Sequence, residues 1–249
     1  MAAIRNARER ARAELTREIK EEARRRLASE GAQRLSLRAV ARELGMASSA
    51  LYRYFPSRDD LLTALIIDAY RDLGDTADRA LAEESSADGP GGARRRWRVL
   101  CQAVRGWALA HPHEYALIYG TPVPGYRAPA ETIEHAARLP LALGAVVRDC
   151  GTLRRDPPSR PLPPGLAAQL GPVRSQFFPE LPEPVLVRVV TAWIQLLGML
   201  SFELFGHLRG SVDPADEFFG YSVEELADLL GLPADPPSPT GPSRPAGAS

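Results

Sequence analysis

Residues 35–66 read LSLRAVARELGMASSALYRYFPSRDDLLTALI, and the fold is decided there. Ser36 is placed to cap a helix, LRAVAREL, that stops at Gly45. Ala41 is small where two helices would cross, and Gly45 takes a tight turn that other residues resist. A third short helix runs through residues 48–54 and ends before Pro56. Val40, Leu44, Met46 and Leu51 supply a small shared core, and Ser57 and Asp60 have capping-box spacing ahead of LLTALIIDAYRDL. Over 37–56 this is the spacing of a helix-turn-helix. Short helical pairs with a glycine turn also occur in plain cores, so the outward residues must decide.

A helix as short as 48–54 is marginal alone in water, and its neighbours must hold it. Leu51 and Phe55, four apart, share the face that packs. Ser49, Tyr52 and Arg53 fall at i, i+3, i+4 on another face. Entering a major groove, such a helix presents these side chains to base edges and phosphates. Tyr52 suits a thymine methyl and, through its hydroxyl, a phosphate; Arg53 suits a guanine edge or a phosphate. Ser48, Tyr54, Arg58 and the amino end of the second helix, with Ser36 and Arg38, are placed for backbone contacts. The alternative is that Tyr52 and Tyr54 are half-buried aromatics of a small core.

The charge distribution agrees with a polyanionic partner. Net charge is zero, yet residues 1–58 hold 14 Lys/Arg against 7 Asp/Glu, and residues 59–249 hold 17 against 24. A basic head on an acidic body suggests a polyanion partner for the head alone, which the groove reading of the short helix makes double-stranded DNA, although a solvated charged face on the first helix would give the same count. Lys20 is the only lysine, so arginine carries almost all the positive charge. The first residues carry charge throughout and contain no apolar signal region. Between Arg188 and Glu203 lie 14 uncharged residues, short of the ~20 that span a bilayer. Two cysteines, Cys101 and Cys150, with no CxxC pair, argue against a disulfide scaffold or zinc module. A soluble, cytoplasmic protein without a membrane partner is expected.

Apolar spacing is helical everywhere and strand alternation nowhere. Leu15, Ile19, Ala23 and Leu27 form one stripe, with Gly31 after them. Beyond a turn-rich join at 83–93, helical periodicity returns in RRWRVLCQAVRGWALA, in HEYALIYG, in AETIEHAARLPLALGAVVRDC with Pro140 inside it, in LAAQLGPVRSQFF, and from Glu183 to about Leu208. The expected organisation is all-α. A helix-turn-helix domain covers 1–62, a linking helix about 58–82, a helical ligand-binding and dimerisation domain 83–232, and a disordered Pro/Ser-rich tail 233–249.

Residues 35–66 resemble the DNA-binding domain of the TetR family of bacterial repressors. Ser36, Val40-Ala41, Gly45-Met46-Ala47, Leu51-Tyr52-Arg53-Tyr54-Phe55 and Arg58 stand where that pattern has Thr or Ser, Ile/Val-Ala, Gly-Val-Ser, Leu-Tyr-x-His-Phe and Lys. Ala47 replaces the usual Ser, leaving Ser48 to cap the third helix; Ser49 and Tyr54 replace a common Gly and His. RGWALAHPHEYALIYGTPVPGY, residues 105–126, is similar to the C-terminal domain of one TetR subgroup. The resemblance implies a near-palindromic operator, a small-molecule effector of unknown identity, and a homodimer formed through the last long helices. Leu186, Val190, Leu197 and Leu204 are candidates for that interface, against the alternative of a central helix in a monomeric bundle. Candidate pocket residues are Trp107, Tyr115, Tyr119, Tyr126, Phe177, Trp193, Met199 and Phe202, with core packing the competing reading for each. Glu203, an acid in an apolar helix, is expected to face solvent, with Arg188, Arg209 or a cationic ligand as the other partners open to it.

HExxH, P-loop and GxGxxG patterns are absent, and His111 and His113 have no third ligand at metal spacing. No enzyme, no metal site and no cofactor is expected. The competing function is a helical protein that binds a small molecule or partner without specific DNA binding.

Overall fold

The computed structural model describes residues 2–84, 92–151, 153 and 161–234, and within them the chain forms helices and no strands. Helix α1 spans Ala2–Glu30, and a 3-10 turn follows at Ala32–Arg34. Then come α2 (Leu37–Glu43), α3 (Ser48–Leu51) and α4 (Arg58–Glu83). Next in the chain are α5 (Gly92–Ala110), α6 (Pro112–Tyr119), α7 (Glu131–Arg148), α8 (Pro164–Phe177), α9 (Glu183–Leu204) and α10 (Asp216–Leu230). Most of the turn-rich join expected at 83–93, and the expected tail from residue 235 onward, lie outside the described residues.

Two elements go beyond the sequence reading. α1 begins more than three turns before Leu15, the first residue of its apolar stripe. α10 buries Phe219, Val223, Leu226, Ala227 and Leu230 at helical spacing and ends on Gly231, whose φ of 76° is the left-handed conformation glycine adopts at helix ends.

The chain packs as two compact units that do not follow chain order. The first comprises Met1–Thr76, Val104–Leu139 and Leu200–His207. Its core joins Ile19, Ala23 and Leu27 of α1 to Val40, Ala41, Leu51 and Phe55, and to Leu61, Leu62, Leu65 and Ile66 of α4. Leu117 and Ile118 of α6, with Val123 and Tyr126 after it, pack against the same core.

The second unit comprises Ala77–Ala103, Pro140–Met199 and Leu208–Ser249. A polar knot ties α5 to α10 there. Arg94, 6% exposed, donates to the carbonyl oxygens of Leu232 (2.9 Å) and Pro233 (3.1 Å) and to the carboxylates of Glu224 and Asp228. The buried Trp97 indole donates to the Val223 carbonyl at 2.9 Å, and Arg98 reaches Glu224 at 2.7 Å. Burial alone would raise the Glu224 carboxyl, but hydrogen bonds from Arg98 and Arg94 outweigh it and hold the group below its ordinary value. Cys101 is buried and Cys150 half-buried, both as free thiols.

α9 is the one helix among the described residues long and apolar enough to cross a membrane by length and composition. Leu186, Val189, Ala192, Leu196 and Leu200 on it are buried within the protein. Ile194 on the same helix is 60% exposed.

Arg94→Ala strands two carbonyls and should cost about 2 kcal/mol of stability, read as a lowered midpoint in thermal denaturation. Because Glu224 is depressed in the folded state, its contribution is present above the ordinary carboxylate range and lost as pH falls through the folded value. Glu224→Gln should therefore lower the melting temperature at neutral pH and flatten its fall between about pH 5 and pH 3.

Candidate DNA-binding interface

The turn between α2 and α3 is built by backbone hydrogen bonds that the sequence permits at one place. Gly45 has φ of 64°, so Met46 N–H donates to the Ala41 carbonyl at 2.8 Å and Gly45 N–H to the Arg42 carbonyl at 3.2 Å. This is a Schellman closure, which needs a left-handed residue just past the helix end. Ala41 is fully buried at the crossing. α3 is a single α-turn, and its continuation to Phe55 tightens, with Tyr54 N–H donating to the Leu51 carbonyl at 2.8 Å. It is shorter than the 48–54 expected, because the N–H groups of Arg53 and Tyr54 reach back three residues rather than four. Ala47, not Ser48, is the residue before its first turn, and neither Ser36 nor Ala47 makes a side-chain cap bond. Ser57 does cap α4: Asp60 N–H donates to its Oγ at 3.1 Å, and that hydroxyl donates to Asp60 Oδ2 at 2.7 Å.

Among the expected contact residues, Arg38, Ser49, Tyr52 and Arg53 are exposed, while Ser36, Ser48, Tyr54 and Arg58 are half-buried. The two tyrosines part company. Tyr52 is 41% exposed, whereas Tyr54 packs against the head core. Arg58 is engaged inside the head: its Nη2 donates to the carbonyls of Ala32 (2.9 Å) and Gln33 (3.3 Å), clasping the start of α4 to the segment that leads into α2. Sequence reading passed over two cations. Arg42 is exposed one turn beyond Arg38 on α2, a pairing readable from the i, i+4 spacing. The Arg12 guanidinium stands 5.4 Å from the centroid of the Tyr54 ring, a long-range contact with no local signal.

Beside the head, the first unit carries a set of paired polar groups. The turn Val123–Tyr126 has Pro124 then Gly125 at φ 81°, the residues a type II turn requires, and closes with Tyr126 N–H on the Val123 carbonyl at 3.1 Å. It presents the Tyr126 hydroxyl to Thr63 Oγ1 of α4 at 2.9 Å. Trp107 donates its indole N–H to Asp72 at 2.7 Å and stacks on His111. Tyr115 bonds Ser201 at 2.9 Å. Glu203 does not face solvent: the buried Arg105 binds both oxygens of the half-buried carboxylate, at 2.9 and 2.6 Å. The Tyr119 hydroxyl is buried without a hydrogen-bond partner, and burial pushes it well above the ordinary phenol value.

Phe202 is exposed, while Phe177, Trp193 and Met199 belong to the second unit and are half-buried there. Leu186 is fully buried in that unit; Val190 and Leu197 are half-buried. Leu204, in the first unit, is also half-buried. A cavity of about 560 Å³ opens in the first unit, lined by Leu27, Glu30 and Arg34 on one side and by His113, Leu117 and Phe205 on the other. No cluster of His, Cys, Asp or Glu suited to a metal occurs among the described residues.

Two family models match the chain. That described as bacterial regulatory proteins, tetR family, covers residues 19–65, and that described as tetracyclin repressor-like, C-terminal domain, covers residues 97–226. The HTH-type transcriptional regulator Rv1816 of Mycobacterium tuberculosis is 38% identical over 205 residues, 79% of this chain and 83% of the relative. The crystal structure of SCO4313 aligns with a TM-score of 0.72 at 36% identity, over 88% of this chain and 98% of that one. A protein of unknown function from Rhodococcus sp. RHA1 aligns with a TM-score of 0.63 at 25% identity, over 87% of this chain and 95% of that one.

Tyr52→Ala should weaken binding to a selected duplex at least tenfold with an unchanged melting temperature, and unchanged affinity would remove Tyr52 from the groove. Arg58→Ala, by orphaning two carbonyls, should lower stability by about 1–3 kcal/mol. If stability holds while affinity falls alike for all sequences, Arg58 serves phosphate instead.

Proposed function

The chain belongs to the TetR family of DNA-binding transcription regulators, and from that premise we propose that it is a dimeric, cytoplasmic repressor released from a near-palindromic operator by a small molecule. The observation that carries the DNA half of this reading is the solvent-facing set Ser49, Tyr52 and Arg53, on a segment whose other face, Leu51 and Phe55, is buried. A two-fold dimer sets two such segments about 34–36 Å apart, in successive major grooves.

Dimerisation is supported by apolar surface in the second unit. Val190, Ile194 and Leu197 lie on one side of α9, and Tyr221 on α10 is 68% exposed. Leu186 is excluded from this face by its burial. A bilayer is the poorer cover for α9, since its opposite side is packed in protein and Glu203 near its end is ion-paired. The effector half is supported by the cavity beside α6, whose lining joins apolar Leu27, Leu117, Val123 and Phe205 to polar Arg34 and His113. A ligand wedged between α6 and residues 27–34 would favour a head position that no longer matches successive grooves. Shifting nearly all of the protein from operator-bound to released takes about 10⁴-fold preference of the ligand for the released form.

Selection of random duplex DNA on the purified protein should enrich a near-palindrome, with a log–log salt slope of roughly −5 to −7 if each subunit neutralises three or four phosphates. Salt-sensitive retention with no enriched sequence would overturn the operator reading. Ile194→Glu should convert a sedimenting dimer to monomer and abolish operator binding, and a monomeric unaltered protein would overturn the dimer.

A further inference from the structure

The first three turns of α1 are unexplained by the fold. Residues 7–14 are all exposed, and the first buried residue of the helix is Ile19, where the matched DNA-binding family model also begins. A polar stretch with no buried residue over 7–14 adds little to the fold, unless something outside the protein completes it.

The cations of α1 divide sharply. From Glu14 onward each is ion-paired: Arg17 with Glu14 and Glu21, Lys20 and Arg24 with Asp68, Arg25 and Arg26 with Glu22. Before Glu14, Arg8, Arg10 and Arg12 enter no ion pair among the described residues, although Glu9 and Glu14 stand among them. Arg8 and Arg12, four apart, lie on one side of the helix, with Arg8 about 6 Å farther out along the axis. That side has a fixed direction, because the Arg12 guanidinium rests over the Tyr54 ring, two residues from the groove-facing Tyr52. The contact leaves the guanidinium N–H groups able to donate while holding the helix alongside α3.

Resting on the DNA-binding reading, we propose that the start of α1 is an added phosphate-binding arm, in which Arg8 and Arg12 grip the DNA backbone beyond the groove entered by α3. Its contacts are to the sugar–phosphate chain, so it lengthens the footprint and raises affinity without reading sequence.

Full-length Arg8→Ala and Arg8→Ala/Arg12→Ala proteins would be titrated against the selected duplex and a scrambled one over a salt series, with Tyr52→Ala beside them. Each lost phosphate contact flattens the log–log slope by about 0.9, so a dimer should lose about 1.8 with the single variant and about 3.6 with the double. Affinity for both duplexes should fall together, leaving their ratio unchanged. Arg8 touches nothing described in the protein, so its effect separates backbone contact from misplacement of α3. An unchanged slope for Arg8→Ala overturns the arm, even if Arg12 removal weakens binding through Tyr54. A loss of discrimination at constant slope overturns it too. Failure of the unaltered protein to bind any duplex would instead remove the DNA-binding reading on which the arm depends, whereas binding that only Tyr52→Ala impairs leaves that reading standing without the arm.

Discussion

A helix of four residues has no stability of its own in water, so the presence of α3 depends on the burial of Leu51. That side chain is fully inaccessible, and with Phe55 it fastens the segment to α1 and α4. Burying one leucine is worth about 2 kcal/mol, enough to decide the conformation of so short an element. Everything offered to the outside by residues 48–54 is positioned by this one anchor. It explains why Tyr52 and Arg53 can be spent on solvent: neither is needed for folding. It also explains the dense packing beneath, where α1, α4 and α6 contribute to a single core, because a loosely held Leu51 would leave the exposed side chains without a fixed direction.

The head was legible because its signals are local. Gly45 needs a left-handed backbone, Ala41 a close crossing, Ser57 and Asp60 a cap, and each requirement is written within a few residues of where it acts. The Val-Pro-Gly-Tyr turn is equally local, and its spacing could be read even though its role could not. What stayed hidden depends on distance along the chain. Glu203 finds Arg105 across 98 residues, Thr63 finds Tyr126 across 63, and nothing in either neighbourhood names the partner. Arg58 had a surface position by pattern, but its distance from the Ala32 carbonyl exists only once the turn after α1 is folded. α10 was missed for a different reason. Its apolar spacing is regular, Phe219, Val223, Leu226 and Leu230, and a local reading could have found it.

In the first unit, polar pairs tie α4 to α5 and to the turn after α6. Tyr126 is joined to Thr63 and Trp107 to Asp72, and Thr63 and Asp72 both stand on α4, the helix whose start also belongs to the head core. Hydrogen bonds of this kind are directional, so a shift of α6 and the turn after it would be passed to α4 as a displacement rather than absorbed as repacking. The Arg105–Glu203 pair, its guanidinium buried, adds a further tie within the unit. A unit built this way is suited to two discrete arrangements rather than a continuum.

The near-exclusive use of arginine has a consequence for how the protein meets its chemical surroundings. Guanidinium groups stay protonated across the whole range in which proteins fold, so the positive field of the head is a constant that acidity does not tune. Dissolved electrolyte is left as the one general modulator of that field. Enzymes that acetylate lysine find a single side chain, Lys20, and it is held against Asp68 at 3.0 Å. Covalent neutralisation of charge, a common way to loosen a protein from nucleic acid, therefore has almost no purchase on this one.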